Sequence, residues 1–179
     1  PNGGHQRIYR LLCKGNSNPK LKKGDKLRYT TYGLSFAPHK ISGFNVCPHA
    51  TLGCIASCIY TSGMGGLYPN VPKGRISRTR LFFLNRHVFM DMLIEELGKC
   101  VLKGERKNRK VAVRLNVFSD IIWEEIAPEI FEMFPTIKFY DYTKNFKRAM
   151  RSIVDPTFPP NYFLTFSRSE KNETKALQI

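Results

Sequence analysis

The feature that most constrains the fold is a regular alternation of strands and helices over the second half of the 179-residue chain. Three apolar strands, each followed by a helix, are predicted there: strands at 110–116, 137–142 and 162–166, and helices at 121–134, 146–153 and 170–179. A spacing of about 25 residues between strands is typical of βα units, whose strands pair in parallel through right-handed crossovers. The pattern therefore predicts an α/β fold with a parallel sheet.

Two arrangements of βα units compete, a doubly wound sheet and a (β/α) barrel. Polar residues gather where the predicted strands end, which is the rim that carries the chemistry of a barrel. No glycine-rich dinucleotide-binding loop follows any of these strands. We therefore expect a barrel-like sheet, and because eight units typically need about 250 residues, we expect a partial barrel or a fragment of a larger one.

The first half of the chain is organised differently. Residues 1–30 are basic and rich in Gly, Asn and Pro, which predicts an irregular basic N-terminal arm ahead of a partial (β/α) barrel domain at 31–179. A short strand is predicted at 32–37. A Cys-rich loop follows at 38–72, and a 3.6-residue periodicity predicts a helix over 78–103.

Composition excludes several protein classes and favours one kind of partner. The 42% of hydrophobic residues rules out a disordered chain, and no apolar stretch approaches the roughly 20 residues of a membrane span. We expect a soluble cytoplasmic protein with no membrane partner. The 29 Lys and Arg against 14 Asp and Glu give a net charge of +15, which favours nucleic acid as partner. A merely basic surface is the alternative, and the oligomeric state is left open.

Three of the five cysteines, Cys47, Cys54 and Cys58, are closely spaced as C-x6-C-x3-C. The odd cysteine count and the lack of any sign of secretion argue against a disulfide framework. The spacing predicts a metal site, either a [4Fe–4S] cluster, which cysteine thiolates hold, or Zn²⁺ with His39 or His49 as a fourth ligand. Three buried thiols beside a glycine-rich loop are the structural alternative.

The segment 34–58, which contains the cysteine motif, resembles the phage "gene product 88" family, as do segments 75–83 and 114–123. The similarity covers about residues 31–179, and the three-cysteine pattern followed by βα units is similar to radical S-adenosylmethionine enzymes. The resemblance implies a cluster on the three cysteines whose open iron binds S-adenosylmethionine. The spacing here differs from the usual C-x3-C-x2-C signature. A phage origin implies the cytoplasm of a bacterial host.

Further side chains complete the predicted site. Strand-end polar residues are expected to line the substrate cavity, and we name as catalytic candidates Asn116, Ser119, Asp120, Asp141 and Lys144. Gly63, Gly65 and Arg78 are candidates for cofactor binding, because glycines permit close backbone approach to a ligand and Arg78 follows the cysteine loop.

Structural roles compete with several of these assignments. Asp120 precedes a predicted helix and suits its N-cap, and Asp141 and Lys144 could pair with each other. Trp123 is expected to pack in the core. The sequence as a whole favours an iron–sulfur protein with reductive S-adenosylmethionine chemistry that acts on or binds nucleic acid. The alternative is a non-catalytic nucleic-acid-binding protein with a structural iron–sulfur or zinc site.

Overall fold

The computed structural model describes residues 10–15 and 27–177. Most of the predicted basic arm and the last two residues of the helix predicted at 170–179 lie outside the described residues. Within them, none of the helices is both long and apolar enough to cross a membrane.

The centre of the fold is a five-stranded sheet with the strands in chain order. The strands are β1 Leu12–Lys14, β2 Tyr29–Leu34, β3 Lys110–Arg114, β4 Lys138–Thr143 and β5 Tyr162–Phe166. β1 pairs antiparallel with β2, and the other neighbouring pairs are parallel. A doubly wound sheet reverses its strand order at a switch point, whereas here each parallel strand is added beside the previous one. The predicted α/β fold with a partial, barrel-like sheet is confirmed.

Most of the helices lie between β2 and β3. In chain order the helices are α1 Leu52–Ala56, α2 Met64–Leu67, α3 Asn70–Leu84, α4 Arg86–Arg106, α5 Trp123–Ile126, α6 Glu129–Met133, α7 Phe146–Val154 and α8 Glu173–Ala176, with a 3-10 turn at Ile59–Thr61. The helix predicted at 146–153 and the strand predicted at 162–166 are confirmed as α7 and β5.

Two predicted helices are each divided in the structure. The helix expected over 78–103 is two helices that meet at Asn85, whose φ of −147° and ψ of 68° are not helical. The helix expected over 121–134 is broken at Ala127, which precedes Pro128. A proline ring clashes with a helical conformation of the preceding residue, so the apolar periodicity continues while the backbone does not.

Strand β1 was not predicted, and it lies within the range assigned to the basic arm. Its neighbour Leu11 and its first residue Leu12 are buried. The carboxylate of Glu96 on α4 accepts the Leu11 and Leu12 N–H groups, at 2.6 and 2.8 Å. Part of the arm therefore joins the sheet, while the domain boundary at residue 30 stays a prediction.

The hydrophobic core lies between the sheet and the two long helices. Phe89, Leu93 and Leu97 project from one side of α4 and are fully buried in the same core as Val113 of β3. Trp123 is also fully buried and contacts aromatic rings of this core, so its predicted packing role is confirmed. The core fixes β3 and β4, and thereby the loops that leave their carboxyl ends.

Candidate functional site

A cavity of about 450 Å³ lies where the parallel strands end. The cysteine-rich loop forms one wall, and residues that end or follow β3, β4 and β5 form the other. The side chains that line the cavity include Cys47, Cys54, Cys58, Arg114, Asn116, Ser119, Asp120, Tyr142, Lys144 and Ser167. Its size suits a small-molecule ligand or cofactor, and its place is the rim at which barrel enzymes carry their chemistry.

Cys47 is held by two backbone contacts. Its sulfur accepts the N–H of His39 at 3.3 Å, and its S–H donates to the carbonyl of Phe118 at 3.4 Å. His39 adopts a φ of 51°, in the left-handed region that residues other than glycine rarely occupy. Burial raises the pKa of Cys47 to about 11, although the His39 N–H acts against this. The thiol is therefore protonated at neutral pH and must release a proton to bind a metal.

Cys54 and Cys58 are at the two ends of a short turn. Cys54 lies in α1, and its N–H donates to the hydroxyl of the N-cap residue Thr51 at 3.2 Å. Cys58 lies beyond the end of α1, at the start of the 3-10 turn, so the two do not share one helix face. Both thiols are free and partly exposed.

The three cysteines have suitable chemistry for a soft metal site, since all are free thiols on one cavity. Within residues 10–15 and 27–177, however, no group of three or more His, Cys, Asp and Glu side chains is arranged to hold a metal ion. The cysteine side chains would therefore have to move closer together to ligate one. His49 contacts the amide of Asn145 through Nε2 at 3.1 Å.

Asn116 and Asp141 form a buried network below the cavity. The Asn116 amide oxygen accepts from the Ser119 hydroxyl and the Ile121 N–H, and its amide nitrogen donates to Ile121 O and to Asp141. Asp141 also accepts the Asn116 N–H at 2.7 Å and the Tyr162 hydroxyl at 2.8 Å. Burial raises the pKa of Asp141 to about 6, opposed by the charge of Arg114. These contacts fix the loop after β3.

Asp120 is bound to Arg148 rather than to a helix end. One carboxylate oxygen pairs with Arg148 at 2.9 Å, and the other accepts from the Thr143 hydroxyl and the Lys144 N–H. α5 begins at Trp123, so Asp120 is not its N-cap. Arg148 also binds both carboxylate oxygens of Glu124, at 2.7 and 2.8 Å. Asp120, the carboxylate that lines the cavity among the described residues, therefore shares the positive charge of Arg148 with Glu124.

Two cations remain on the strand-end wall. The Lys144 ammonium donates to the Ser167 hydroxyl at 3.1 Å and to the Arg168 carbonyl at 3.2 Å. Within the described residues it forms no ion pair with Asp141, contrary to the structural alternative. The Arg114 guanidinium donates to Asn116 O, lies 3.9 Å from the Asp141 carboxylate and lies 4.7 Å from the centre of the Tyr142 ring. Among the described residues, Lys144 is therefore the cation of this wall without a carboxylate partner, and it can bind an anionic ligand.

Gly63, Gly65 and Arg78 are not part of the cavity lining. Gly63 precedes α2 with a φ of 58°. A Cβ at Gly65 would lie 2.1 Å from the carbonyl oxygen of Tyr60, so the glycine is needed for chain packing. Arg78 donates to the carbonyl of Ser35 at 3.2 Å. Their role in cofactor binding stays a prediction. The contacts observed for Gly65 and Arg78 are with other parts of the protein.

Comparison with known families agrees with the cysteine motif and the βα units. The family model described as Gene product 88 matches residues 9–179. The chain belongs to the Gene product 88 family. None of the curated proteins compared with it matches, and neither does any solved structure.

The cavity of this Gene product 88 protein includes residues that sequence reasoning missed. Tyr142 lines it and Arg148 supports it from behind, whereas Ser167, which also lines it, belongs to the polar residues expected where the strands end. The alternation of side chains along β4, which places Tyr142 and Asp141 on opposite faces, was a usable signal for Tyr142. Glu170 was not predictable: it accepts from the Thr51 hydroxyl and the Gly53 N–H, more than 100 residues away.

Proposed function

We propose that this Gene product 88 protein is an iron–sulfur protein of radical-S-adenosylmethionine-like architecture that acts on nucleic acid. The observation that carries the proposal is that Cys47, Cys54 and Cys58 line one cavity, with Lys144 on its strand-end wall. The partial barrel supports the proposal, because its cavity occupies the rim where such folds place their chemistry. The net charge of +15 supports a polyanionic substrate.

The chain's own residues would share the work as follows. The thiolates of Cys47, Cys54 and Cys58 would hold the cluster, and the His39 N–H would donate to the Cys47 sulfur. Lys144 and Arg114 would bind the negatively charged group of a ligand in the cavity. Ser119 lies on the cavity wall and would contact the substrate. When bound, a [4Fe–4S] cluster with S-adenosylmethionine supplies reductive radical chemistry.

A second function is favoured by a different observation. Three of the catalytic candidates form hydrogen bonds or ion pairs with other protein groups: Asn116, Asp120 and Asp141. Such contacts are typical of residues that stabilise the fold rather than of a catalytic acid or base. In this reading an iron–sulfur cluster or Zn²⁺ only clamps the cysteine loop, and the basic surface binds nucleic acid without catalysis.

Metal analysis of anaerobically purified protein separates the two. The first proposal expects about four irons and four sulfides per chain, with absorbance that bleaches on reduction, followed by binding of S-adenosylmethionine. One zinc and no colour, or an iron–sulfur cluster that binds no S-adenosylmethionine, would refute the first proposal and favour the second. Neither metal, even after reconstitution with iron and sulfide, would refute both metal roles.

Cysteine variants test which thiols are the ligands. Cys54→Ser and Cys58→Ser should lose most of the metal. Cys13→Ser is the matched control, because this free thiol lies on β1 and donates to Gly33 O, outside the cavity lining. Full metal content in both Cys54→Ser and Cys58→Ser would contradict the assignment.

A further inference from the structure

A strip of aromatic and cationic side chains lies on one face of the sheet at β4 and β5 and at the end of β3. It consists of Arg114, Lys138, Tyr140, Tyr142 and Phe163, and we call it the aromatic strip. In the sheet register Tyr140 is opposite Phe163. On β4 the alternate residues, including Phe139 and Asp141, are buried on the other face. The sheet thus has one face packed against the core and one face, at β4 and β5, that is still open.

The aromatic rings of this strip are unusually exposed for their size. Tyr142 is 45% and Phe163 is 48% exposed. Large aromatic side chains usually remove most of their surface from water on folding. Two of them exposed on adjacent strands indicate a surface that is covered when a ligand is bound.

The charges on the strip indicate what covers it. Arg114 lies 4.7 Å from the centre of the Tyr142 ring, and Lys138 lies 4.9 Å from the centre of the Phe163 ring. None of the five strip positions is acidic. Among the described residues Arg114 pairs with the Asp141 carboxylate at 3.9 Å, whereas Lys138 pairs with no carboxylate. An apolar protein partner would leave Lys138 buried without a counter-charge. A polyanion with flat rings would satisfy both the cations and the aromatic faces.

From these observations we propose that the aromatic strip binds single-stranded nucleic acid, with bases stacked on Tyr142 and Phe163 and a phosphate beside Lys138. This inference rests on the proposed function, which names nucleic acid as the partner, and it assigns the aromatic strip as the surface that binds this partner. Stacked bases in a duplex offer no free faces, so a stacking surface selects unpaired strands.

The strip is continuous with the cavity. Arg114 and Tyr142 belong to both, and Lys144 lies two residues beyond Tyr142 on the cavity wall. A strand bound along the strip would therefore direct a nucleotide toward the three cysteines. This places the substrate's reactive group where the proposed chemistry needs it.

Fluorescence anisotropy with a labelled single-stranded DNA 12-mer, the same RNA sequence and the matching DNA duplex tests the proposal. We expect both single strands to bind more tightly than the duplex. Phe163→Leu should weaken binding of the single strands by roughly 5- to 100-fold, and Tyr142→Leu by a similar factor. Tyr68→Leu is the matched control, since Tyr68 is 53% exposed but lies at the end of α2.

Each outcome is decisive for the strip. Equal binding of single strands and duplex, unchanged affinity in Phe163→Leu and Tyr142→Leu, or an equal loss in Tyr68→Leu would overturn it. Circular dichroism of each variant establishes that a loss of binding is not a loss of folding. Wild-type protein reconstituted with iron and sulfide separates the two proposals: oligonucleotide binding by protein that holds no metal retains the strip and refutes the cluster, whereas metal without oligonucleotide binding does the reverse.

Discussion

Arg148 is the residue whose removal tests the architecture below the cavity most directly. Its side chain is 3% exposed and forms ion pairs with Asp120 at 2.9 Å and with Glu124 at 2.7 Å, and it donates to the Tyr162 hydroxyl at 2.9 Å. The Glu124 side chain is completely buried. Arg148→Met keeps a similar volume but leaves two buried carboxylates without a counter-charge.

The expected cost follows from that imbalance. Removing one partner of a buried ion pair typically destabilises a protein by about 3–5 kcal/mol, because the remaining charge stays desolvated. Here one cation serves two carboxylates, so we expect a loss in the upper part of that range. Arg148→Met should therefore greatly lower the free energy of unfolding measured by urea titration.

Arg151 on the same helix provides the control. It also pairs with two carboxylates, Glu125 at 2.6 Å and Asp155 at 3.1 Å, but its side chain is 39% exposed. Exposed pairs contribute about 0–1 kcal/mol, so Arg151→Met should change stability little. If Arg148→Met cost less than about 1 kcal/mol, or no more than Arg151→Met, the network would not be holding Asp120 and the loop after β3 as we infer.

Three further predictions concern single side chains. Folding raises the pKa of Asp141 from 3.8 to about 6, so ionisation of this carboxyl destabilises the wild-type protein increasingly between about pH 4 and 6. Asp141→Asn carries no such charge. Over that pH range its free energy of unfolding, measured by urea titration, should therefore rise relative to that of the wild type by about 1–3 kcal/mol. Gly65→Ala should cost roughly 2 kcal/mol or more in thermal unfolding, because its Cβ meets Tyr60 O, whereas Gly98→Ala in α4 meets nothing within 4 Å and should gain up to about 1 kcal/mol. Because the pKa of Cys47 is about 11, its alkylation in metal-free protein, followed by mass spectrometry, should be slow at pH 8 and still accelerate above pH 9; a plateau by pH 9 would contradict the burial argument.

The parts of the fold that sequence predicted well are those with a local signal. β5 and α7 were located to within a residue, because apolar alternation and helical periodicity act over a few residues. The polar residues after β3 and β4 were expected at a common edge, because parallel strands place their carboxyl ends together. The structure brings Asn116, Ser119, Asp120 and Lys144 there, together with the three cysteines.

The parts that sequence reasoning missed depend on contacts between distant residues. β1 is three residues long, too short for a periodic pattern, and is secured by Glu96 on α4. The role of Arg148 was not predicted, since nothing local distinguishes a surface arginine from one that turns inward to Glu124. Such pairings are decided by tertiary packing, which no window of sequence contains.

The same buried network explains why Lys144 is available on the cavity wall. Asp120 and Glu124 share Arg148, and Asp141 accepts hydrogen bonds from Asn116 and Tyr162 below the cavity. The carboxylates of the strand ends are thus paired inside the fold, where Asp141 lies 3.9 Å from the Arg114 guanidinium. Within the described residues the Lys144 ammonium contacts only the Ser167 hydroxyl and the Arg168 carbonyl. A chain that needed its carboxylates to bind paired cations would have the opposite arrangement. The strand-end wall therefore selects a negatively charged ligand, and the aromatic strip beside it offers the bases of that ligand a surface on which to stack.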